Sequence, residues 1–232
     1  MGSSVAIVMP TIPRRETSAL ATIERLLPQC DRFYVHLDGY ASIPRWMPSK
    51  VRCFVHAEVR GPAVRFSVVP EEDYVLFVDD DLQHPADYVK QTIKVLKRLG
   101  SRTAVAYHGA WWPQESPLQY HHRRRLNYWD ACPEDQLVTF VGCGTIALRT
   151  KDLNRLDRSI PDQFRFEDDV WISSALARAG IRCVRPKSKK AWIGQTDAGQ
   201  HGLWTDAAKE SFKQREACIA AALALGGWKL TR

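Results

Sequence analysis

Short apolar runs alternate with amphipathic segments through the first half of the chain. Leucine and isoleucine recur on one helical face over 16–27 and again over 88–99, and Pro85 stands where a first helical residue is expected. The apolar runs predict buried strands at 5–9, 33–37, 51–55, 74–78 and 103–107. Pro10 is expected to close the first strand. This alternation predicts an α/β fold with a mostly parallel central sheet flanked by helices.

The regular pattern breaks midway along the chain. Residues 108–135 form a long aromatic and basic stretch without clear periodicity, which is typical of a functional or mobile segment. Beyond it, the pattern predicts strands at 137–141, 145–148 and 181–184 and helices at 170–179 and 207–225. No repeat or linker divides the sequence, and 232 residues suit one α/β domain. We therefore expect a single domain over 1–232.

Composition narrows the class of protein. With 45% hydrophobic and 25% charged residues, the chain resembles an ordinary globular protein. No apolar run reaches the ~20 residues that a membrane span needs, and the N-terminus lacks the basic and apolar segments of a secretory signal. The six cysteines form no C-x-x-C pair and lie at no zinc-finger spacing from a histidine. We therefore expect a cytoplasmic protein with reduced thiols and no transmembrane segment.

The chain is basic, with a formal net charge of +7 and clusters at Arg123–Arg125 and Lys187–Lys190. A basic surface favours an anionic partner, which leaves nucleotide phosphates, a lipid-phosphate acceptor, an anionic membrane face and nucleic acid open. A solvated surface explains the charge equally well. Trp111, Trp112 and Trp129, near the arginine cluster, are candidates either for stacking on sugar faces or for packing beneath a loop.

The strongest chemical signal is the acidic triplet Asp79, Asp80 and Asp81, which follows the apolar run 74–78. Ligands of α/β sheets bind beyond the carboxyl ends of the strands, where these residues are expected. Three adjacent carboxylates repel one another, and a bound divalent cation would relieve that repulsion. Mg²⁺ and Mn²⁺ prefer carboxylate and phosphate oxygens. The alternative is an acidic turn that caps the following helix, for which one aspartate would suffice.

Other nucleotide and metal–phosphate motifs are absent. Leu82-Gln83 follows the triplet where a haloacid-dehalogenase-like phosphatase has Gly-Thr. The sequence contains no P-loop and no G-x-G-x-x-G after its first strand. It also contains no G-x-S-x-G and no cysteine beside a recognisable histidine partner. A reaction that needs a metal and a base, without a protein nucleophile, therefore fits these residues best.

Short motifs in a fixed order resemble those of GT-A glycosyltransferases, especially family-2-like enzymes and bacterial capsule or lipopolysaccharide transferases. They comprise an opening strand and donor loop at 7–14, a strand at 35–39, a segment at 61–66, the acidic triplet and a Gly-rich stretch at 142–145. The resemblance implies a single GT-A (Rossmann-like) domain with its nucleotide-sugar-binding half over 1–107. The half over 108–232 would bind the acceptor, contain a small antiparallel element and carry the C-terminal helix.

The same resemblance implies a donor site and a metal site. Asp81 would be the chief ligand of Mn²⁺ or Mg²⁺, with Asp79 and His201 as further ligands. A lone histidine is equally well an ordinary polar residue, although the glycines that flank His201 favour a loop that folds over a ligand. The expected co-substrate is a nucleotide-sugar, with a UDP-sugar favoured. Its contacts would come from Pro10, Thr11, Arg14, Asp38, Arg65, Asp79 and Asp80.

A second acidic group, Glu167, Asp168 and Asp169, opens the predicted helix near 170. The helix dipole alone would favour carboxylates at this end. By resemblance to inverting GT-A enzymes, one of these acids is the general base that takes a proton from the acceptor hydroxyl. The aspartate of a Glu-Asp pair indicates Asp168, whereas an Asp-x-Trp pattern in some relatives indicates Asp169. We favour Asp168 and leave Asp169 open.

Together these features predict a metal-dependent, inverting glycosyltransferase that acts on a bacterial surface glycan or a lipid-linked acceptor. Peripheral contact with the inner membrane stays open. The alternative is a phage-type enzyme that glycosylates modified DNA bases, because the basic surface and the aromatic loop would suit a DNA acceptor. A nucleotidyltransferase ranks lower, because residues 10–15 contain no glycine. A non-catalytic sugar-binding relative would not need both acidic groups.

Overall fold

The computed structural model of the chain describes residues 2–112, 120–196, 212–226 and 228. Its strands are β1 (Val5–Thr11), β2 (Arg32–Asp38), β3 (Arg52–His56), β4 (Tyr74–Val78), β5 (Leu82–Gln83), β6 (Thr103–Ala106), β7 (Gly109–Trp111), β8 (Arg124–Leu126), β9 (Gln136–Val138), β10 (Phe140–Val141), β11 (Thr145–Arg149), β12 (Arg182–Arg185) and β13 (Gly194–Gln195). Its helices are α1 (Glu16–Leu26), α2 (Tyr88–Leu99), α3 (Thr150–Leu153), α4 (Asp168–Arg178) and α5 (Lys213–Ala224). Short 3₁₀ segments include Pro13–Arg15 and Pro62–Ser67.

Eight strands form the central sheet, in the order β3-β2-β1-β4-β11-β6-β12-β9. The pairs β3–β2, β2–β1, β1–β4 and β6–β12 are parallel. β11 is inserted antiparallel between β4 and β6, and β9 is antiparallel at one edge. The predicted α/β fold is therefore confirmed, with a sheet that is parallel in its first half and mixed in its second. A small antiparallel sheet, β10-β7-β8, lies beside it.

Both faces of the central sheet are covered. A strand such as β1 contributes to the cores on both faces, because its successive residues point to opposite sides. Ile7 and Met9 of β1 belong to the core formed with α1 and α2. Val8 of β1 and Phe77 of β4 belong to the core formed with α4. A third apolar cluster joins α4 and α5 to the small antiparallel sheet. Burial on two faces explains why the strands read as nearly continuous apolar runs.

Two strand predictions are wrong in their bounds. β1 continues through Pro10 to Thr11, because β4 pairs with β1 only as far as Val8 and leaves a free edge beyond it, where a proline is tolerated. The single strand predicted over 137–141 is two strands. The chain turns between them at Thr139, whose N–H donates to the carbonyl of Ala110 (3.0 Å). This turn sends β9 to the central sheet and β10 to the small one.

The start of α2 is later than the sequence indicates, whereas α4 begins at Asp168, two residues before the predicted position. The N–H of Tyr88 donates to the carbonyl of Pro85 (3.1 Å), so the proline precedes α2 in a turn instead of starting it. α5 begins at Lys213 within the described residues, while 207–211 lie outside them. None of the described helices combines the length and the apolar character that crossing a membrane requires.

Candidate functional site

The acidic triplet lies at the carboxyl edge of the central sheet, directly after β4. The neighbouring strand β1 ends beside it at Thr11. The Thr11 hydroxyl donates to Asp80 Oδ2 (2.7 Å), and Arg15 Nη1 lies 2.7 Å from Asp80 Oδ1. Asp80 is only 3% exposed, so both of its oxygens are committed to protein groups. Asp80 therefore anchors the segment after β1 to the triplet.

The arginine that lies beside the triplet is Arg15, whereas Arg14 is the one expected to contact the donor. Arg14 is exposed in the Pro13–Arg15 turn. Arg15 Nη1 lies 3.2 Å from Asp81 Oδ2 in addition to its contact with Asp80. The 3₁₀ geometry of this turn decides which of two adjacent arginines faces the carboxylates.

Asp81 combines a fixed backbone with a carboxylate that a cation would stabilise. Its carbonyl accepts hydrogen bonds from the N–H and the hydroxyl of Thr196, each 3.0 Å long. Burial raises the pKa of Asp81 to about 7, with the charge of Asp79 as the next cause, while Arg15 opposes the increase. A carboxylate destabilised in this way gains from any cation that binds beside it.

Arg65 joins the triplet to the second acidic group. Its Nη2 lies 2.8 Å from Asp79 Oδ1, and its Nε lies 3.3 Å from Asp168 Oδ2. The guanidinium is buried and also donates from Nε to the carbonyl of Pro62 (3.0 Å). The charges of Asp79 and Asp168 raise the pKa of Arg65 against the effect of its burial. Two acidic groups that are distant in sequence thus meet at one guanidinium.

Asp168 and Asp169 differ in what holds their side chains. Asp168 is buried, and its Oδ2 has the ion pair with Arg65 but no hydrogen-bond partner among the described residues. Burial raises the pKa of Asp168 to about 7, while Arg65 opposes the shift and Asp169 adds to it. Asp169 Oδ1 instead accepts a hydrogen bond from the N–H of Cys143 (2.7 Å). Asp169 is therefore fixed by the Gly-rich stretch, and Asp168 is the less committed carboxylate.

Glu167 pairs with a residue of another helix. Its Oε2 lies 2.7 Å from Nε of Arg215 in α5, and both side chains are buried. Burial raises the pKa of Glu167 to about 7, with Arg215 opposing the increase. The structure thus gives this candidate catalytic acid a partner that ties the start of α4 to α5.

The Glu167–Arg215 pair leads to a prediction about stability. Arg215→Met should lower the free energy of unfolding by about 3–5 kcal/mol at pH 8, because it leaves the Glu167 carboxyl buried without its cation, so that this group must either stay ionised and unpaired or take up a proton. Arg165→Met is the control, since Arg165 pairs with the exposed Asp162 (2.9 Å), and should cost less than about 1 kcal/mol. Urea denaturation of both variants measures the difference. Equal losses would contradict a structural role for the buried pair.

Asp38 holds the segment that carries Arg65. Its carboxylate accepts hydrogen bonds from the backbone N–H groups of Arg60 (2.7 Å) and Gly61 (2.9 Å). Gly61 has a φ of +77°, and a Cβ there would lie 2.8 Å from the carbonyl oxygen of Arg165. Asp38 is an expected donor contact, and in the structure it is buried. Its two hydrogen bonds fix the turn that leads into Pro62–Ser67.

Two histidines that the sequence does not single out lie near the acidic residues. His84 is buried, and neither of its ring nitrogens has a hydrogen-bond partner among the described residues. Burial lowers the pKa of His84 to about 4, against the charge of Asp79. His108 packs against Gly142, where a Cβ would lie 2.7 Å from its ring, and Asp169 opposes the lowering of its pKa by burial. No sequence motif marks either histidine: His84 follows the triplet closely in sequence, whereas only the fold brings His108 to Asp169.

The carboxylates of the triplet suit a hard divalent cation. Asp79 is its most exposed side chain, at 36%, and Asp81 is the carboxylate that neutralisation would stabilise. A second cluster, Cys143 with Asp168 and Asp169, has ligand atoms within 4.8 Å of one another. Burial raises the pKa of the Cys143 thiol, which keeps it protonated, and sulfur suits softer ions. Asp79 and Asp81 therefore fit Mn²⁺ or Mg²⁺ better, and His201 lies outside the described residues.

Gly144 determines where the Asp79 carboxylate can lie. A Cβ at this position would stand 1.9 Å from Asp79 Oδ2, so Gly144→Ala must displace the carboxylate. We expect this variant to bind Mn²⁺ about 10- to 100-fold more weakly in calorimetric titration, as when a residue that positions a metal ligand is changed. The double variant with Asp79→Ala should bind no more weakly than Asp79→Ala alone. Additive losses would show that Gly144 acts by another route.

No protein-family model matches the chain, and a search of curated proteins gives no match. Among solved structures, S. aureus TarS is similar, with a TM-score of 0.52 and 14% identity over 84% of this chain. The chain spans only 37% of the length of TarS. The 2-C-methyl-D-erythritol 4-phosphate cytidylyltransferases of Francisella tularensis and Thermus thermophilus give TM-scores of 0.45 and 0.43, with 10% and 13% identity over 90% of this chain and 99% and 100% of theirs. The similarity to TarS, together with the mixed eight-stranded sheet, shows that this chain has a GT-A-like fold.

Proposed function

We propose that this chain is a metal-dependent glycosyltransferase that moves a sugar from a nucleotide-sugar, with a UDP-sugar favoured, to a hydroxyl of an acceptor. The observation that carries the proposal is the Arg65 contact with both Asp79 and Asp168, at 2.8 Å and 3.3 Å. A donor site and a base must lie close together for transfer, because the accepting hydroxyl has to attack the carbon that holds the leaving group. Arg65 supplies that proximity.

In this proposal, Asp79 and Asp81 would hold Mn²⁺ or Mg²⁺ at the diphosphate of the donor. The cation would neutralise charge on the departing diphosphate. Arg15 contributes further positive charge at the same edge, since it lies 3.2 Å from Asp81 Oδ2. Asp80 and Asp38 act indirectly, because their oxygens hold the donor loop and the turn before Arg65. Pro10, Thr11 and Arg14 belong to that donor loop.

Asp168 is the base of the proposed reaction. It accepts the proton of the acceptor hydroxyl while the oxygen forms a bond to the anomeric carbon of the sugar. The bond from that carbon to the diphosphate oxygen breaks, and its electron pair leaves with the nucleoside diphosphate. Attack from the face away from the leaving group inverts the configuration. A pKa of about 7 suits a carboxylate that must accept a proton near neutral pH.

We propose only the broad class of the acceptor: a bacterial surface glycan or a lipid-linked glycan that is used at the cytoplasmic side of the inner membrane. A DNA acceptor remains the alternative, because the chain carries a net charge of +7. Binding to duplex DNA that falls steeply as salt increases would favour DNA, and salt-insensitive glycan binding would favour the first acceptor.

The donor site is tested by thermal shift with UDP, GDP, CDP, CMP and ADP, each with Mn²⁺ and with a chelator. A ligand at ~100 times its dissociation constant stabilises a fold by about 2.7 kcal/mol, which such an experiment detects. We expect one nucleoside diphosphate to stabilise the protein in the presence of Mn²⁺ and not with the chelator. Absence of any metal-dependent shift would overturn the proposal, and a shift with CMP alone would favour cytidylyl chemistry over glycosyl transfer.

A further inference from the structure

A groove lies between the small antiparallel sheet and the edge of the central sheet. This open groove has a volume of about 340 Å³, within the range of small-molecule sites. One wall is formed by Trp111 of β7 with residues of β8, and the other by Leu137 of β9 with its neighbours. The lining residues are Trp111, Arg124, Leu126, Glu134, Gln136 and Leu137.

Strand register explains why Trp111 faces this groove. β7 and β8 pair so that Trp111 lies opposite Arg124, and Gly109 lies opposite Leu126. Paired residues of antiparallel strands share a face, which puts these side chains together on one side of the small sheet. The side chain of Ala110 points to the other side, into the third apolar cluster. The fold therefore leaves a tryptophan at 45% exposure on an outer surface.

The lining of the groove combines apolar surface with hydrogen-bonding side chains. Trp111 and Leu137, 45% and 68% exposed, offer apolar surface on which the C–H face of a sugar ring can pack. The side chains of Arg124, Glu134 and Gln136 supply donors and acceptors, and none makes a hydrogen bond or ion pair with another described residue. Such a mixture suits a ligand that alternates apolar faces with hydroxyl groups. Arg124 and Glu134 balance each other in charge, so the groove lacks the net positive charge that a phosphate backbone requires.

The groove is connected to the candidate catalytic residues through β7. The N–H of Gly142 donates to the carbonyl of His108 (2.9 Å), and the next residue, Cys143, holds Asp169. Trp111 follows His108 by three residues of nearly extended chain, which span roughly 10 Å. The groove therefore lies more than one sugar unit from Asp168, and an acceptor with its reacting hydroxyl at Asp168 needs several sugar units to extend into it.

We propose that this groove binds an oligosaccharide segment of the acceptor, several sugar units away from the one that receives the transfer. Its role as an acceptor subsite rests on the proposed function, whereas oligosaccharide binding itself does not. Trp111 is the stacking platform, and Arg124, Glu134 and Gln136 bind hydroxyl groups. The substrate class that follows is an oligosaccharide or polysaccharide, as opposed to a single sugar or a nucleic acid.

The test is calorimetric titration with maltohexaose, the hexamer of N-acetylglucosamine and the hexamer of galacturonic acid. At least one hexamer should bind the wild-type chain, and Trp111→Ala should weaken its binding about tenfold, equivalent to about 1.4 kcal/mol. Trp111→Phe should retain most of the affinity. Trp129→Ala is the matched control, because Trp129 is 40% exposed, packs on Tyr128 and lies outside the groove, and it should bind within about twofold of wild type.

Several outcomes would overturn the proposal: no binding of any hexamer at millimolar concentration, equal losses in the Trp111 and Trp129 variants, or salt-sensitive DNA binding that Trp111→Ala abolishes. A dimer in sedimentation that Leu137→Lys dissociates would assign the groove to a second copy of the chain. The metal-dependent nucleotide shift, measured on the same variants, separates this proposal from the proposed function. Hexamer binding without a nucleotide shift would support the groove as a glycan site and contradict the proposed glycosyltransferase activity.

Discussion

Asp81→Ala should abolish metal-dependent binding of the nucleotide and reduce transfer by about 10³-fold or more. A metal that neutralises a leaving group supplies several kcal/mol, and each 1.36 kcal/mol is tenfold in rate. Burial and the charge of Asp79 raise the pKa of Asp81 to about 7, so its surroundings disfavour the charged form. Asp81→Ala therefore removes a carboxylate that a bound cation would stabilise.

The same change should leave the fold intact. An intact fold would distinguish a metal ligand from an acidic residue that stabilises the structure. Asp80 keeps its bonds to Thr11 and Arg15, and the Asp81 carbonyl keeps the hydrogen bonds from Thr196. We expect the melting temperature of Asp81→Ala to equal or exceed that of the wild type, because one of three repelling carboxylates is gone. Asp80→Ala is the contrasting variant and should melt at a lower temperature, because it leaves the Thr11 hydroxyl and Arg15 without their buried acceptor.

The measurements are Mn²⁺ titration by calorimetry, donor hydrolysis and thermal unfolding on both variants and on Asp162→Ala, whose side chain is 89% exposed. Full Mn²⁺ affinity in Asp81→Ala would show that the triplet is a helix-capping turn. A large loss of stability in Asp81→Ala, matching that of Asp80→Ala, would make both residues structural.

The parts of this protein that the sequence predicts are those encoded locally. β1, β2 and β4 are buried on both faces, so their apolar runs indicate strands directly, and the triplet follows at the carboxyl end of one of them. The mixed character of the sheet is not local. β11 lies antiparallel between β4 and β6 because of a chain reversal at Gly142–Thr145, where the N–H of Thr145 donates to the carbonyl of Gly142 (3.1 Å).

The site is predicted less completely than the fold, for the same reason. The conformation of the short 3₁₀ turn Pro13–Arg15 decides which of its two arginines contacts the carboxylates, and the one that does is Arg15. The partner of Glu167 is Arg215 in α5, and no spacing rule connects two residues so far apart. Residue types at the site follow from motifs, whereas the pairs that hold those residues follow from packing.

Asp168→Asn should retain nucleotide binding and lose transfer by about 10²- to 10⁴-fold in kcat, the usual contribution of a positioned base. The amide is nearly isosteric, so the change removes the proton acceptor with little effect on volume. Asp79 still pairs with Arg65, so the donor site keeps its arrangement. The wild-type kcat should rise with pH through about 7, because Asp168 accepts a proton only when ionised and burial holds its pKa there. This rise should be absent from the residual activity of the variant.

Asp169→Asn is the decisive comparison for the base. Asp169 already uses Oδ1 to accept the N–H of Cys143 (2.7 Å), and an asparagine oxygen can accept the same bond. We therefore expect Asp169→Asn to keep kcat within about tenfold of wild type, the change that 1.4 kcal/mol produces. Loss of transfer in Asp169→Asn with activity retained in Asp168→Asn would place the base one residue further along α4. Retention of kcat in both variants would show that neither Asp168 nor Asp169 is the base, because neither amide can take the proton that transfer must release.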